Sequence, residues 1–102
     1  MTKNSFQLKE IGNENRIHVL KGDKDRNVWL NGKQLLPDES QFNWGYGGIR
    51  PTELALAIMF ELTGRYEGYQ QFKWKYIAPL VIDEPFKIMF TDADIAKVIS
   101  GE

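Results

Sequence analysis

Val28-Trp-Leu-Asn-Gly-Lys-Gln-Leu35 is the stretch whose reading decides the fold. Asn31-Gly32 is the strongest short-range hairpin signal, because both residues tolerate the positive φ that a type I′ turn demands. The flanking arms, Val28-Trp-Leu30 and Lys33-Gln-Leu35, are expected as paired strands. Working back, Ile17-His-Val-Leu20 reads as a further short strand, closed by Gly22 and the charged turn Asp23–Asn27. Pro37 and Asp38 end the β region.

Downstream, Pro51 suits a first-turn helix position, where its missing N–H costs nothing. Glu53 is expected in the same turn, complementing the helix dipole. Leu54 to Leu62 is apolar nearly all round, interrupted only by Glu61, which predicts a helix at the buried centre of the fold. Gly64 is its expected stop. A second helix is predicted from Arg65 to Ala78, with Tyr66, Tyr69, Phe72, Tyr76, Ile77 and Leu80 on one side. Pro79 marks its end. Phe86, Ile88 and Phe90 alternate as in a half-buried strand. Thr91-Asp-Ala-Asp94 then resembles a capped helix start, with Ile95, Val98 and Ile99 as the apolar stripe and Gly101 as the stop. The expected class is α+β, a small antiparallel sheet packed by helices.

The 102 residues fit a single domain, 1–102, in which the polar, aperiodic residues 1–15 are expected to be loosely ordered. Thirteen basic residues stand against fourteen acidic ones. That lacks the basic excess with which proteins neutralise phosphate backbones, so the balance argues against nucleic acid as partner. With no cysteine, disulfides, thiolate nucleophiles and cysteine-ligated metals are excluded. Met1 to Glu10 lacks the apolar segment of a secretory signal. The longest apolar run, Leu54–Phe60, is far short of the ~20 residues of a membrane span. A soluble, cytoplasmic protein without a membrane partner is expected.

Few motifs carry chemistry. Asp23-Lys-Asp-Arg-Asn27 opens like a calcium loop, but Val28 stands where glycine is needed and Gln34 where glutamate is needed. A solvated turn is the better reading, and no metal or cofactor is expected. His18 is the sole histidine. A triad with Ser5, Ser40 or Ser100 is formally available, yet none of these serines lies in a nucleophile elbow. A surface or edge-strand histidine is expected instead. Nothing in the spacing selects a carboxylate pair, so a binding protein is favoured over an enzyme.

Gln41-Phe-Asn-Trp-Gly-Tyr-Gly-Gly-Ile-Arg50 is the richest segment. It matches neither the Gly-x-x-x-x-Gly-Lys-Ser/Thr loop nor the Gly-x-Gly-x-x-Gly fingerprint. Two readings stand side by side. In one, the glycines form a tight bend over the central helix. In the other, the backbone at Gly47 and Gly48 grips an anion together with Arg50, beside Trp44 and Tyr46. Lys73 falls within the aromatic arc of the second helix, either snorkelling to water or converging with Arg50 on one anionic ligand. Trp74 falls just outside that arc and is expected to be partly exposed.

The runs Val28–Leu35, Phe42-Asn-Trp-Gly-Tyr-Gly-Gly48, Pro51-x-x-Leu-Ala-Leu-Ala-Ile58 and Tyr69-Gln-Gln-Phe-Lys73 resemble a family of short uncharacterised bacterial and phage proteins, catalogued as a domain of unknown function. The resemblance spans roughly Val28 to Phe90. Members often carry a small residue where this chain has Ile49-Arg50. The resemblance implies a small cytoplasmic protein of phage or mobile-element type and brings no reaction or cofactor with it.

The leading expectation is a non-catalytic binding protein whose site comprises Trp44, Tyr46, Gly47, Gly48, Arg50 and Lys73. Its partner would be an anionic small molecule such as a nucleotide, or a host protein, in an anti-defence role as inhibitor or sponge. The alternatives are a protein–protein inhibitor or homo-oligomer using exposed tryptophans (Trp29, Trp44 or Trp74), and a small hydrolase whose carboxylate, Glu53, faces the glycine loop.

Overall fold

Asn31 and Gly32 turn the chain at φ 54° and 84°, closing a hairpin in a computed structural model that describes residues 15–37 and 41–101. Its arms are β2 (Val28–Leu30) and β3 (Lys33–Leu35), in the register that pairs Leu30 with Lys33. With β1 (Ile17–Gly22) and β4 (Phe86–Thr91) they form one antiparallel sheet in the order β3-β2-β1-β4. The α+β class expected from the sequence is the class observed. The ordering of residues 1–14 lies outside the described residues.

β1 runs through Gly22, two residues beyond the stretch expected, because Gly22 pairs with both Val28 and Phe86. The Phe86 and Trp44 rings lie where its side chain would stand.

Three helical segments cover one face of the sheet. The first, α1 (Ile49–Thr63), buries Pro51, Leu54, Ala55, Ile58, Met59 and Thr63, the i, i+3, i+4 pattern of one stripe. Phe60 is 52% exposed, so α1 is not enclosed on all sides as its composition suggested. A four-stranded sheet offers only one layer to pack on, and the opposite face of the helix meets water. The helix starts at Ile49, which places Glu53 beyond the first turn and away from the dipole's end. Gly64 closes it at φ 75°.

The second helix is shorter than predicted. Gly68, at φ 84°, precedes α2 (Tyr69–Phe72), which continues as a wider π-helical turn over Lys73–Ile77. Residues 65–68 stay outside it, because the Thr63 hydroxyl accepts from the Arg65 N–H at 3.1 Å and holds the chain in a turn. Tyr66 consequently leaves the α2 face and stacks on Phe60, with centroids 5.3 Å apart. The π turn is closed by the Ala78 N–H donating to Lys73 O at 2.8 Å. It turns Phe72, Lys73 and Ile77 inward and leaves Trp74 exposed.

Thr91 caps α3 (Asp92–Ser100) through a reciprocal capping box with Asp94. Phe90 joins the layers, edge-on to Phe72 at 5.3 Å and tilted against Tyr76 at 5.6 Å. Burial raises the Tyr76 hydroxyl's pKa above its ordinary value, with the Asp94 charge adding to the effect.

His18 is a correction to the expected surface histidine. It is 5% exposed on β1, an inner strand. The Asn31 amide N–H donates to its Nδ1 at 3.0 Å, while Asn31 Oδ1 accepts from the Val19 N–H at 2.9 Å. That arrangement assigns the ring proton to Nε2, which donates to Asp92 Oδ1 at 2.6 Å. Asp92 Oδ2 accepts from the Arg16 N–H at 2.8 Å.

Candidate functional site

The glycine–aromatic segment divides into a buried half and an exposed half. Phe42, Asn43 and Trp44 are buried. Asn43 Oδ1 accepts from the Trp44 N–H at 2.8 Å, and the Trp44 indole N–H donates to Glu84 O at 2.8 Å. The indole meets Phe86 edge-on, with centroids 4.7 Å apart. Trp44 is therefore a core residue, and its faces are not offered to a ligand. An indole's large apolar area outweighs the wet environment that a glycine-rich loop suggests.

Gly45 forms the joint between the halves. Its N–H donates to Ile77 O at 3.1 Å, its φ is 90°, and a Cβ there would stand 2.5 Å from Ile82 N. Gly45→Ala meets both a disfavoured backbone region and an immovable backbone neighbour. A loss of about 2 kcal/mol or more is expected in urea unfolding. Gly47→Ala should cost less, since the atoms it meets belong to the exposed Trp74 indole, which can swing aside.

Beyond the joint the chain carries its exposed aromatics. The Tyr46 ring, 36% exposed, lies over Gly48, where a Cβ would stand 2.6 Å from its Cε2. Gly47 packs bare against the Trp74 indole, which is 58% exposed. Gly48 is the N-cap of α1 and brings no side-chain hydrogen bond to the helix end. Arg50 is exposed on the first turn.

Lys73 reaches this surface from the π turn. It is only 5% exposed, so it does not snorkel. Its Nζ donates to Thr52 Oγ1 at 3.2 Å and to Gly47 O at 3.4 Å, and lies 4.6 Å from the centroid of the Trp74 ring. Among the described residues no carboxylate lies within ion-pair distance of Lys73. The ammonium is held by a carbonyl, a hydroxyl and an indole, all neutral. A buried charge without a counter-charge is costly, and a nearby anion would offset that cost.

The structure thus gathers Tyr46, Gly47, Gly48 and Lys73 at one surface, with Trp74 and Thr52 as further members. Trp44 lies in the core, and Arg50 stands exposed on the first turn of α1. Thr52 was not singled out from the sequence. Its hydroxyl also donates to Gly48 O at 2.9 Å, the local bond open to a threonine in a helix's first turn.

The hydrolase expectation placed Glu53 opposite the glycine loop. Glu53 instead lines a groove with Leu35 and Leu36 at the β3 side of α1. His18 has no nitrogen left for a serine hydroxyl, because Asn31 and Asp92 occupy both. Ser100 Oγ donates to Lys97 O, and Ser5 and Ser40 lie outside the described residues. No group of three or more His, Cys, Asp or Glu that could hold a metal occurs among the described residues. Asp23 is spent on its own turn, accepting from the Asn27 and Asp25 N–H groups at 2.9 Å. The Asn27 backbone N–H is the main cause that lowers its pKa below the ordinary carboxylate value. No helix among the described residues is long and apolar enough to cross a membrane.

A family model described as "Family of unknown function (DUF6166)" matches residues 13–101. Comparison with curated proteins and with solved structures finds no match.

Proposed function

We propose, for a chain that belongs to the DUF6166 family of unknown function, a non-catalytic binding protein that holds an anionic small molecule at the surface of Tyr46, Gly47, Gly48, Lys73 and Trp74. One observation carries this reading: the Lys73 ammonium is buried among neutral acceptors, with no carboxylate beside it among the described residues. Phosphate is the anion whose charge suits that ammonium. The adjacent exposed rings of Tyr46 and Trp74 suit a base, which makes a nucleotide the favoured class. Arg50, exposed on the first turn of α1, supplies a second cation on that side of the loop. In this reading the binding acts in the cytoplasm, as an anti-defence sponge or inhibitor.

Calorimetry with nucleoside mono-, di- and triphosphates tests the reading, beside mass spectrometry of ligands retained from infected cells. The expected result is saturable heat that falls by about tenfold or more in Lys73→Met, since charge-assisted hydrogen bonds to phosphate are the strong ones. Trp74→Ala should weaken nucleotides more than inorganic phosphate. Absence of heat with every nucleotide, from a folded protein with no retained ligand, would sink the idea.

A second reading rests on Trp74. It is the exposed tryptophan among the three, with Trp29 half-buried and Trp44 in the core. Ile49, 78% exposed, also belongs to this part of the chain. Capture of a host protein or a second copy through Trp74 would be lost in Trp74→Ala and kept in Lys73→Met, whereas both variants weaken nucleotide binding.

A further inference from the structure

A groove of about 700 Å³ runs between β3 and the outer face of α1, on residues other than Tyr46, Gly47, Gly48, Lys73 and Trp74. Leu35 and Leu36 line it on the strand side, Glu53 and Phe60 on the helix side, and Tyr66 at one end. Its apolar groups are unusually open: Leu36 is 75% exposed, and the stacked pair Phe60 and Tyr66 is about half exposed on each ring. Glu61 is already matched, with Lys33 Nζ 3.0 Å from its Oε2. Glu53 is not matched among the described residues: its Oε1 is buried and accepts no hydrogen bond from them.

A buried carboxylate oxygen without a donor is costly, and the donor that would satisfy it best is a cation. The two exposed rings favour the same charge, since a cation is drawn to an aromatic face. The strand side adds a second kind of recognition. β3 is an edge of the sheet. In the antiparallel ladder the turn-flanking pair Leu30 and Lys33 and the pair Val28 and Leu35 are bonded across, so the N–H and C=O of Gln34 face outward. Unpaired edge groups beside an apolar groove are the setting in which an extended peptide adds to a sheet.

We propose that this groove docks an extended segment of a partner protein, paired with Gln34 and presenting a lysine or arginine side chain to Glu53. The cation's aliphatic stem lies on Leu36 and the Phe60–Tyr66 pair, and its charged end pairs with the Glu53 carboxylate, which turns to meet it. Residues two before and two after it point to the same face and rest on the remaining apolar lining.

The probe is the blocked pentapeptide acetyl-Val-Thr-Lys-Thr-Val-amide, titrated into isotope-labelled full-length protein and followed by NMR. Its analogue with norleucine at the centre and n-butylamine serve as comparisons. Saturable shifts are expected at the Gln34 amide and the Phe60 and Tyr66 rings, with the norleucine peptide about tenfold weaker. Glu53→Gln should erase that preference. Gln34→Pro removes only an outward N–H, which an edge position tolerates, and should weaken the lysine peptide while leaving n-butylamine unaffected. Equal affinity for the lysine and norleucine peptides, or no saturable shift at these positions, overturns the proposal. So does n-butylamine binding as tightly as the peptide, which would make the groove a site for free amines.

Discussion

Trp44→Ala is expected to lower the unfolding free energy by about 3–5 kcal/mol, the range for truncating a large buried aromatic. Total stability for a domain of this size is about 5–15 kcal/mol, so much of the native population is at stake. The indole is fully buried, rests edge-on against Phe86, and ties its N–H to Glu84 O. Its loss empties the space between the glycine segment and the return of the chain into β4. Trp44→Phe should keep most of the ring packing and lose the indole hydrogen bond, at a cost of about 1 kcal/mol for that bond. Urea unfolding with unchanged slope checks both values. If Trp44 instead served a ligand by stacking, alanine would cost binding and leave the urea midpoint in place.

The second large effect belongs to Asp92. Removing its carboxylate leaves His18 Nε2–H and the Arg16 N–H without acceptors, and both groups are held at the junction of β1 with the start of α3. Asp92→Ala is expected to cost about 3 kcal/mol, as when one partner of a buried polar pair is deleted. Asp92→Asn should recover part of this, because an amide oxygen can still accept one of the two bonds. A double-mutant cycle with His18→Phe apportions the effect, and an interaction energy near zero would show that the pair contributes nothing of its own. Phenylalanine is suited to the position because His18 already packs against Phe90, with centroids 5.7 Å apart.

The parts of this fold written in local chemistry were legible. Asn31-Gly32 specifies its turn within two residues, Thr91 and Asp94 cap a helix within one turn, and Gly64 and Gly101 stop their helices at positive φ. What remained hidden depends on partners distant in sequence. Trp44 looked like a wet aromatic because its company, Phe86 and Glu84, lies forty residues away. His18 looked exposed because its partner Asp92 is separated by 74 residues. At Lys73 the α-helical periodicity points to the arc of Tyr66 and Tyr69, whereas the ammonium lies against Trp74, Gly47 O and Thr52 Oγ1. The ammonium's neutral surroundings depend on where Gly47 and Thr52 fold back, which periodicity does not report. The groove was missed for a similar reason. Tyr66 was assigned to the second helix, and only its release into the turn after Gly64 sets it against Phe60.

The sheet order has a consequence for how the protein is made. β4, the strand that flanks β1 through six pairs, from Ile17↔Thr91 to Gly22↔Phe86, is synthesised long after β1 itself. Until then the nascent chain has a three-stranded sheet whose β1 edge is open. Leu20 and His18 await Ile88 and Phe90, so of the two inner strands β1 waits longer for its second neighbour. Closing that ladder joins segments far apart in sequence, and contacts of such separation slow folding. A chain halted before Phe86 would present an unpaired strand edge to its surroundings, the feature that invites mispairing or a chaperone.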